Sequence, residues 1–343
     1  MKRHLNTLFV TTAGTYLAKD GDCVQVRVES ETRARLPVLA LDGIVCFGQV
    51  SYSPYLLAHC AENDVTITHL TEQGRFQARI QGPTSGNVLL RRTQYRWADD
   101  PGQSAVLARA VLLAKLHNGR LVYRRARRDA GNEDRRARLA TVADGLDGII
   151  DLVEQGGDLD RLRGIEGEGG ALYWSAFDEL ITRADADFAF AGRSRRPPLD
   201  RVNCLLSFLY TVLAHDVRSA LETAGLDPYV GYLHRDRPGR PSLALDIMEE
   251  FRPWLVDRLV LSLVNRGQVD AGGFTREDTG GYSMDEETRK AVLTAWQERK
   301  QETVTHPFLG EKMPIGMLWH MQALLLARYM RGDLDGYPAL LWK

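Results

Sequence analysis

The run PPLDRVNCLLSFLYTVLAHDVRSALETAG, residues 197–225, decides the fold class. Val202, Leu205, Leu206, Leu209, Val212, Leu213 and Val217 recur at three- and four-residue spacing, the period of a helix that buries one stripe. Two prolines precede the run and Gly225 closes it, so the spacing predicts a helix over 199–224. Residues 136–154 repeat the pattern through Leu139, Val142, Ala143, Leu146, Ile149, Ile150 and Val153. A third helix is expected from Ser242, its N-cap, to Asn265, with Gly267 behind it. Pro253 inside that span kinks it or begins a second helix. The following GQVDAGGFTREDTGGYSMDEE, 267–287, has few apolar anchors and reads as a mobile loop or a small excursion between helices.

Upstream the period changes to two. LFVTT (8–12), CVQVRVE (23–29), RLPVLAL (35–41), VTITHL (65–70), RFQARI (75–80) and VLLRRTQYRW (88–97) read as strands, with one helix near Pro54–Ala61. The expectation is an α+β chain: a small, mainly antiparallel N-terminal β domain over 1–97, then a larger all-α C-terminal domain over 98–343.

At 343 residues, 44% hydrophobic and 26% charged, the chain has the composition of a globular protein rather than a disordered one. No run approaches the ~18 apolar residues of a membrane span, and the first residues lack a secretory signal, so a cytoplasmic protein with no membrane partner is expected. Cys23, Cys46, Cys60 and Cys204 form no CxxC pair and suggest neither a zinc knuckle nor a disulfide framework.

The net charge of −1 conceals segregation. Between Arg109 and Arg138 ten basic residues face three acidic ones, a net of +7; between Asp144 and Glu168 eight acids face two arginines. Such runs suit a phosphate surface beside a cation site, or two solvated helix faces that partly pair with each other.

Three segments carry candidate chemistry. LRGIEGEGGALYW (162–174) sets Glu166 among glycines that each cost a helix about 1 kcal/mol, which implies close approach of a backbone or a ligand. GYLHRDRPGRPSLALDIMEEFRP (231–253) places His234 before a helix on which Asp246 shares a face with either Glu249 or Glu250. An imidazole with two carboxylates makes an oxygen-rich site suited to Mn²⁺ and tolerated by Mg²⁺. The arginines near His234, and Arg193, Arg195 and Arg196, supply what a phosphodiester would need beside acids. There is no P-loop, dinucleotide fingerprint, GxSxG or HExxH.

In their order and spacing these motifs, with LNTLFVTT (5–12), AKLHNGR (114–120) and QALLLARYMRGDLDGYPALLWK (322–343), resemble the CRISPR-associated adaptation integrases, the family called Cas one, and in particular members accompanying type I systems. The resemblance implies that Glu166, His234 and Glu249 are catalytic and bind Mg²⁺ or Mn²⁺. It makes Asp246 an acid behind them or facing substrate, leaves Glu250 solvated, and sets Asn203, Ser207 and Tyr210 on the central helix, with Tyr210 near substrate. Lys115, Asn118, Arg240 and Arg252 are the implied contacts to DNA, and the charged run adds Arg124 and Arg125.

The implied reaction is insertion of short foreign double-stranded DNA into a CRISPR repeat by attack of its 3′-hydroxyl on a phosphodiester, with endonuclease activity as the water-driven counterpart. The implied assembly is a homodimer formed through the β domain, two such dimers being bridged by a dimer of Cas two. Two other readings stand beside it: a related metal-dependent nuclease of branched DNA in repair or transposition, and a non-catalytic DNA-binding scaffold.

Overall fold

The structure, a computed structural model, describes residues 7–41, 43–71, 76–82 and 87–342. Leu5, Asn6, Arg75 and Lys343, which belong to segments singled out above, lie outside the described residues. A β region comes first: β1 (Thr7–Val10), β2 (Thr15–Asp20), β3 (Cys23–Val28), β4 (Glu31–Pro37), β5 (Gly43–Phe47), β6 (Val50–Tyr52), α1 (Pro54–Glu62), β7 (Thr66–Leu70) and β8 (Phe76–Ile80). One sheet has the order β1-β5-β7-β8 and the other β4-β3-β2-β6. The pairs β2–β3, β3–β4 and β7–β8 are antiparallel, whereas β1–β5, β5–β7 and β2–β6 are parallel.

The strand β5, GIVCF, explains the architecture. Ile44 and Cys46 point into the core between the sheets with Leu17, Val24, Leu56 and Ile67, while Val45 and Phe47 point into the helical core. A strand buried on both faces carries apolar residues without alternation, so a period-two reading passes over it. The ring of Phe47 meets that of Phe208, 5.8 Å away, at the junction of the two regions. Arg79 and Glu222 pair across the same junction.

The helical portion follows, as the sequence indicated: α2 (Val88–Asp99), α3 (Pro101–Arg128), α4 (Glu133–Glu154), α5 (Leu159–Ser175), α6 (Arg201–Thr223), α7 (Ser242–Met248) and α8 (Arg258–Asn265). After these come β9 (Phe274–Arg276), β10 (Tyr282–Met284), α9 (Glu286–Gln301), β11 (Thr303–Thr305), β12 (Lys312–Pro314) and α10 (Leu318–Met330). Residues 88–97, expected as a strand, are helical: Leu90 and Gln94 are buried on one face, and the Asn87 side chain caps the first turn by accepting from the Leu90 N–H. Residues 35–41 are strand only to Pro37, where a 3₁₀ turn takes over.

Ser242 starts α7 without capping it, and Pro253 falls in a π-helical turn, Arg252–Asp257, that carries the chain into α8. The 267–287 segment is an excursion built as the β9–β10 hairpin. The Tyr282 N–H donates to the Pro198 carbonyl, and the Arg201 guanidinium lies over the Tyr282 ring.

Candidate active site

Asp246, on the last turn of α7, is buried and organises the segment before that helix. One carboxylate oxygen accepts the N–H groups of Tyr232 (2.6 Å) and Leu233 (3.1 Å); the other accepts the N–H of His234 (2.9 Å) and its ring Nδ1–H (2.6 Å). Four donors converge on one carboxylate, so the tautomer of His234 is set: Nδ1 carries the proton and Nε2 keeps a lone pair. The chain passes so close to the start of α7 that a Cβ at Gly231 would lie 2.6 Å from the Cβ of Ser242. Arg163 ties α5 to the same turn through the Leu233 carbonyl, at 2.8 Å.

His234 Nε2 faces Glu249 Oε1 at 3.8 Å. Glu249 caps the end of α7 and is buried, with Arg252 bonded to the same oxygen. On the other side the Lys115 ammonium, from α3, bonds Glu166 of α5 and lies 3.2 Å from Glu249 Oε2. Apart from that ammonium, no donor reaches the buried Oε2 among the described residues. Burial alone would raise the Glu249 carboxyl; Arg252 and Lys115 outweigh it and hold the group down to about 2. Burial alone would likewise lower the Lys115 ammonium, yet Glu249 and Glu166 raise it.

Glu166, His234 and Glu249 are therefore brought together around Lys115. Among the described residues no three His, Cys, Asp or Glu side chains stand close enough to hold a metal ion as they are, because the ammonium occupies the gap between the two glutamates. The donor chemistry nevertheless fits a divalent cation: a lone pair on Nε2, a Glu249 oxygen that only the Lys115 ammonium approaches, and Glu166 on the far side of that ammonium.

Behind this cluster sits an acid that the sequence reading missed. Asp257 accepts from the hydroxyls of Tyr173 (2.8 Å) and Tyr210, and burial pushes it up to about 6. Its one signal is a lone carboxylate in the apolar run WLVDRLV, 254–260. The Tyr210 ring lies between the guanidiniums of Arg193, 5.4 Å away, and Arg252, 4.9 Å away. Tyr210 thus connects Asp257 to the arginine that bonds Glu249. Asn203 acts further out: its amide donates to the Gly192 carbonyl (2.8 Å) and accepts from Arg193 (2.7 Å) and the Ser194 N–H (3.0 Å). Ser207 accepts from Arg193 at 3.2 Å.

Two expectations are corrected. Glu250 is fully buried, not solvated, because it points away from Glu249 and holds the C-terminal segment through Tyr337 (2.6 Å), Gln322 (2.8 Å) and the Leu340 N–H (2.7 Å). Asn118 is also fully buried and serves that segment: its amide donates to the Glu250 and Leu340 carbonyls and accepts the Trp342 N–H at 2.8 Å, leaving nothing for a phosphate.

Arg240 and Arg195 lie on the solvent side of the site. Burial lowers the Arg240 guanidinium, and so do Arg237, Arg252 and Arg195, against the pull of Asp246. Arg124 and Arg125 end α3 beyond the site; Arg124 pairs with Asp147 of α4 at 2.6 Å. The basic and acidic runs of the sequence thus do pair in part, with Arg120 joining Arg124 on Asp147.

The chain matches the family model described as "CRISPR associated protein Cas1" over residues 8–298. It is 56% identical to the CRISPR-associated endonuclease Cas1 1 of Chlorobaculum tepidum over 343 residues, with 100% of both chains covered. It is 50% identical to the CRISPR-associated endonuclease Cas1 2 of Rhodospirillum rubrum over 347 residues, again with 100% of each covered. Among solved structures, a CAS1 protein from Thermotoga maritima superposes with a TM-score of 0.82 at 25% identity, covering 95% of this chain and 97% of that one. The fold, the family model and relatives spanning the full length agree: the chain belongs to the Cas1 family.

Proposed function

We propose that this protein is a divalent-metal-dependent DNA integrase and endonuclease of CRISPR adaptation. It inserts short double-stranded DNA into the repeat array by attack of a 3′-hydroxyl on a phosphodiester. The observation that carries the reading is the His234 imidazole, locked by Asp246 with Nε2 3.8 Å from the buried Glu249 carboxylate, in a chain of the Cas1 family.

Glu166, His234 and Glu249 are the residues that would hold Mg²⁺ or Mn²⁺. When bound, the ion supplies polarisation of a phosphoryl oxygen and stabilisation of the leaving 3′-oxygen. The chain's own residues do the rest. Asp246 keeps the Nδ1 proton in place, so that Nε2 remains a donor of electrons. Lys115 neutralises Glu166 and Glu249 and stands ready to pass its charge to a phosphate. Arg240 and Arg195 offer cations on the open side, where DNA would bring its own charge to a place lined with acids, while Arg252 is held on Glu249.

Insertion of both ends of a duplex needs two such sites at a fixed separation, which one chain lacks. The reading therefore includes a homodimer formed through the β region and a complex with a dimer of the partner Cas2. Among the described residues no helix is long and apolar enough to cross a membrane, which suits a protein acting on DNA in the cytoplasm.

The test is strand transfer of a duplex with free 3′-hydroxyls into a supercoiled plasmid carrying a repeat, with Mn²⁺ or Mg²⁺ and the partner present. Glu166→Ala, His234→Ala and Glu249→Ala are each expected to lower the rate by roughly a hundredfold or more, corresponding to several kcal/mol of charge stabilisation. Full activity in all three would overturn the reading.

A further inference from the structure

A cavity of about 880 Å³ opens between the carboxyl end of α3, α4, α8 and the C-terminal segment, apart from the catalytic carboxylates. Its walls carry six arginines and a single acid, Asp144. Two of those arginines are compensated, Arg124 by Asp147 at 2.6 Å and Arg136 by Glu133 at 2.7 Å. The other four, Arg125, Arg127, Arg128 and Arg258, have no side-chain hydrogen bond or ion pair among the described residues. Arg258 is half-buried, and burial, then Arg125 and Arg299, drive its guanidinium down to about 10 against the pull of Glu302.

Arg125, Arg127 and Arg128 are solvent-exposed, so their mutual repulsion is screened; half-buried Arg258 adds a fourth cation to the same space, and an anion placed among them is favoured. The guanidinium fork suits phosphate oxygens in particular. The rest of the wall is Asn118 and apolar groups: Leu121, Val122 and two indoles, Trp254 and Trp342, stacked 4.2 Å apart at 3°. The Trp342 Nε1–H is buried without an acceptor among the described residues. Cationic forks above an aromatic wall, in a space of small-ligand size, match phosphate joined to a flat ring. Lys115, at the catalytic carboxylates, and Arg125–Arg128 lie on one helix, 10 to 13 residues apart, hence about 15–20 Å along its axis.

We propose that this cavity is a nucleotide-binding site distinct from the catalytic centre, with phosphate oxygens on Arg125, Arg127, Arg128 and Arg258 and the base against the Trp342 wall. A free nucleotide and a nucleotide unit within a DNA strand share that chemistry, and only the second source rests on the DNA reading above. Occupancy by either would tie the C-terminal segment to α3 and α8.

The experiment uses the full chain in EDTA, so that the catalytic site takes no metal. ATP is titrated calorimetrically, and a dye-labelled twelve-residue oligothymidylate by fluorescence anisotropy. Arg127→Ala with Arg128→Ala is compared with wild type and with Arg92→Ala plus Arg96→Ala, which removes equal charge from exposed positions of α2 outside the cavity. If the strand is the ligand, the cavity variant binds it about 25-fold more weakly at 0.1 M salt, about fivefold per lost phosphate contact, and its salt slope falls by about 1.4. If a free nucleotide is the ligand, ATP binding weakens at least about tenfold.

The α2 control stays within twofold of wild type in either case. Absence of binding by both probes, or equal losses in the two double variants, overturns the proposal. Glu166→Ala should leave this binding intact while abolishing cleavage, so failure of the nucleotide site and failure of the catalytic reading register in different measurements.

Discussion

Replacing Asp246 by Asn keeps the shape of the side chain and removes one of its two acceptor oxygens. In the wild type, one oxygen serves Tyr232 and Leu233 and the other serves both nitrogens of His234. A carboxamide satisfies one pair and turns an NH₂ toward the other, so two buried donors lose a charged acceptor, at about 1.5–3 kcal/mol each. The loss is about 3–6 kcal/mol before relaxation. If the NH₂ faces the imidazole, Nδ1 becomes the acceptor and the ring proton moves to Nε2, where it opposes a metal ligand. Denaturant unfolding reads the first effect, nitrogen chemical shifts of the ring the second, and Mn²⁺ titration the third, with affinity expected to fall about 10- to 100-fold. Asp246→Asn with stability within about 0.5 kcal/mol of wild type, an unchanged tautomer and Mn²⁺ affinity within twofold would refute the reasoning.

Four further outcomes follow from the same geometry. Lys115→Met leaves Glu166 and Glu249 facing each other without their cation, so the protein should melt lower in EDTA and gain more from Mn²⁺ than wild type does; thermal scans with and without the ion check this. Burial raises Glu250 from 4.5 to about 7, so the native state holds this proton more tightly than the unfolded chain. That contribution is most favourable below pH 4.5 and declines as pH rises through 7, by about 3 kcal/mol on the order-of-magnitude scale. Glu250→Gln should therefore gain stability relative to wild type between pH 5 and 8, measured by urea unfolding at each pH. Asn118→Ala strands the Trp342 N–H and two carbonyls, at about 1–3 kcal/mol per buried group; the C-terminal segment should become sensitive to limited proteolysis. Gly169→Ala would set a Cβ 2.6 Å from Leu116 and push α5 from α3, costing about 1–3 kcal/mol in unfolding experiments.

Much of the fold could be read from periodicity because the helices of the second region each bury one stripe. The misses have local physical causes. The strand β5 is apolar on both faces, so it shows no alternation, and residues 88–97 carry enough branched and aromatic side chains to resemble a strand until Leu90 and Gln94 are seen to share a buried face. Spacing could place Asp246 with either following glutamate, yet it could not say which glutamate turns toward His234; the turn after α7 sends Glu249 to the imidazole and Glu250 to the C-terminal segment. Asn118 looked polar and available because nothing in its neighbourhood names Leu340 or Trp342, more than 200 residues away, as its partners. The +7 run held a mixture that only the fold separates. Arg120 and Arg124 neutralise Asp147, while Arg125, Arg127 and Arg128 face an unassigned cavity.

The central claim is that Glu166, His234 and Glu249 together hold the catalytic ion. Anomalous scattering from Mn²⁺ in crystals of the protein locates it directly. One strong peak bounded by His234 Nε2, Glu249 and Glu166 is expected, with the Lys115 ammonium displaced from between the two carboxylates. A peak elsewhere, or Lys115 still bridging the glutamates at saturating Mn²⁺, would contradict it.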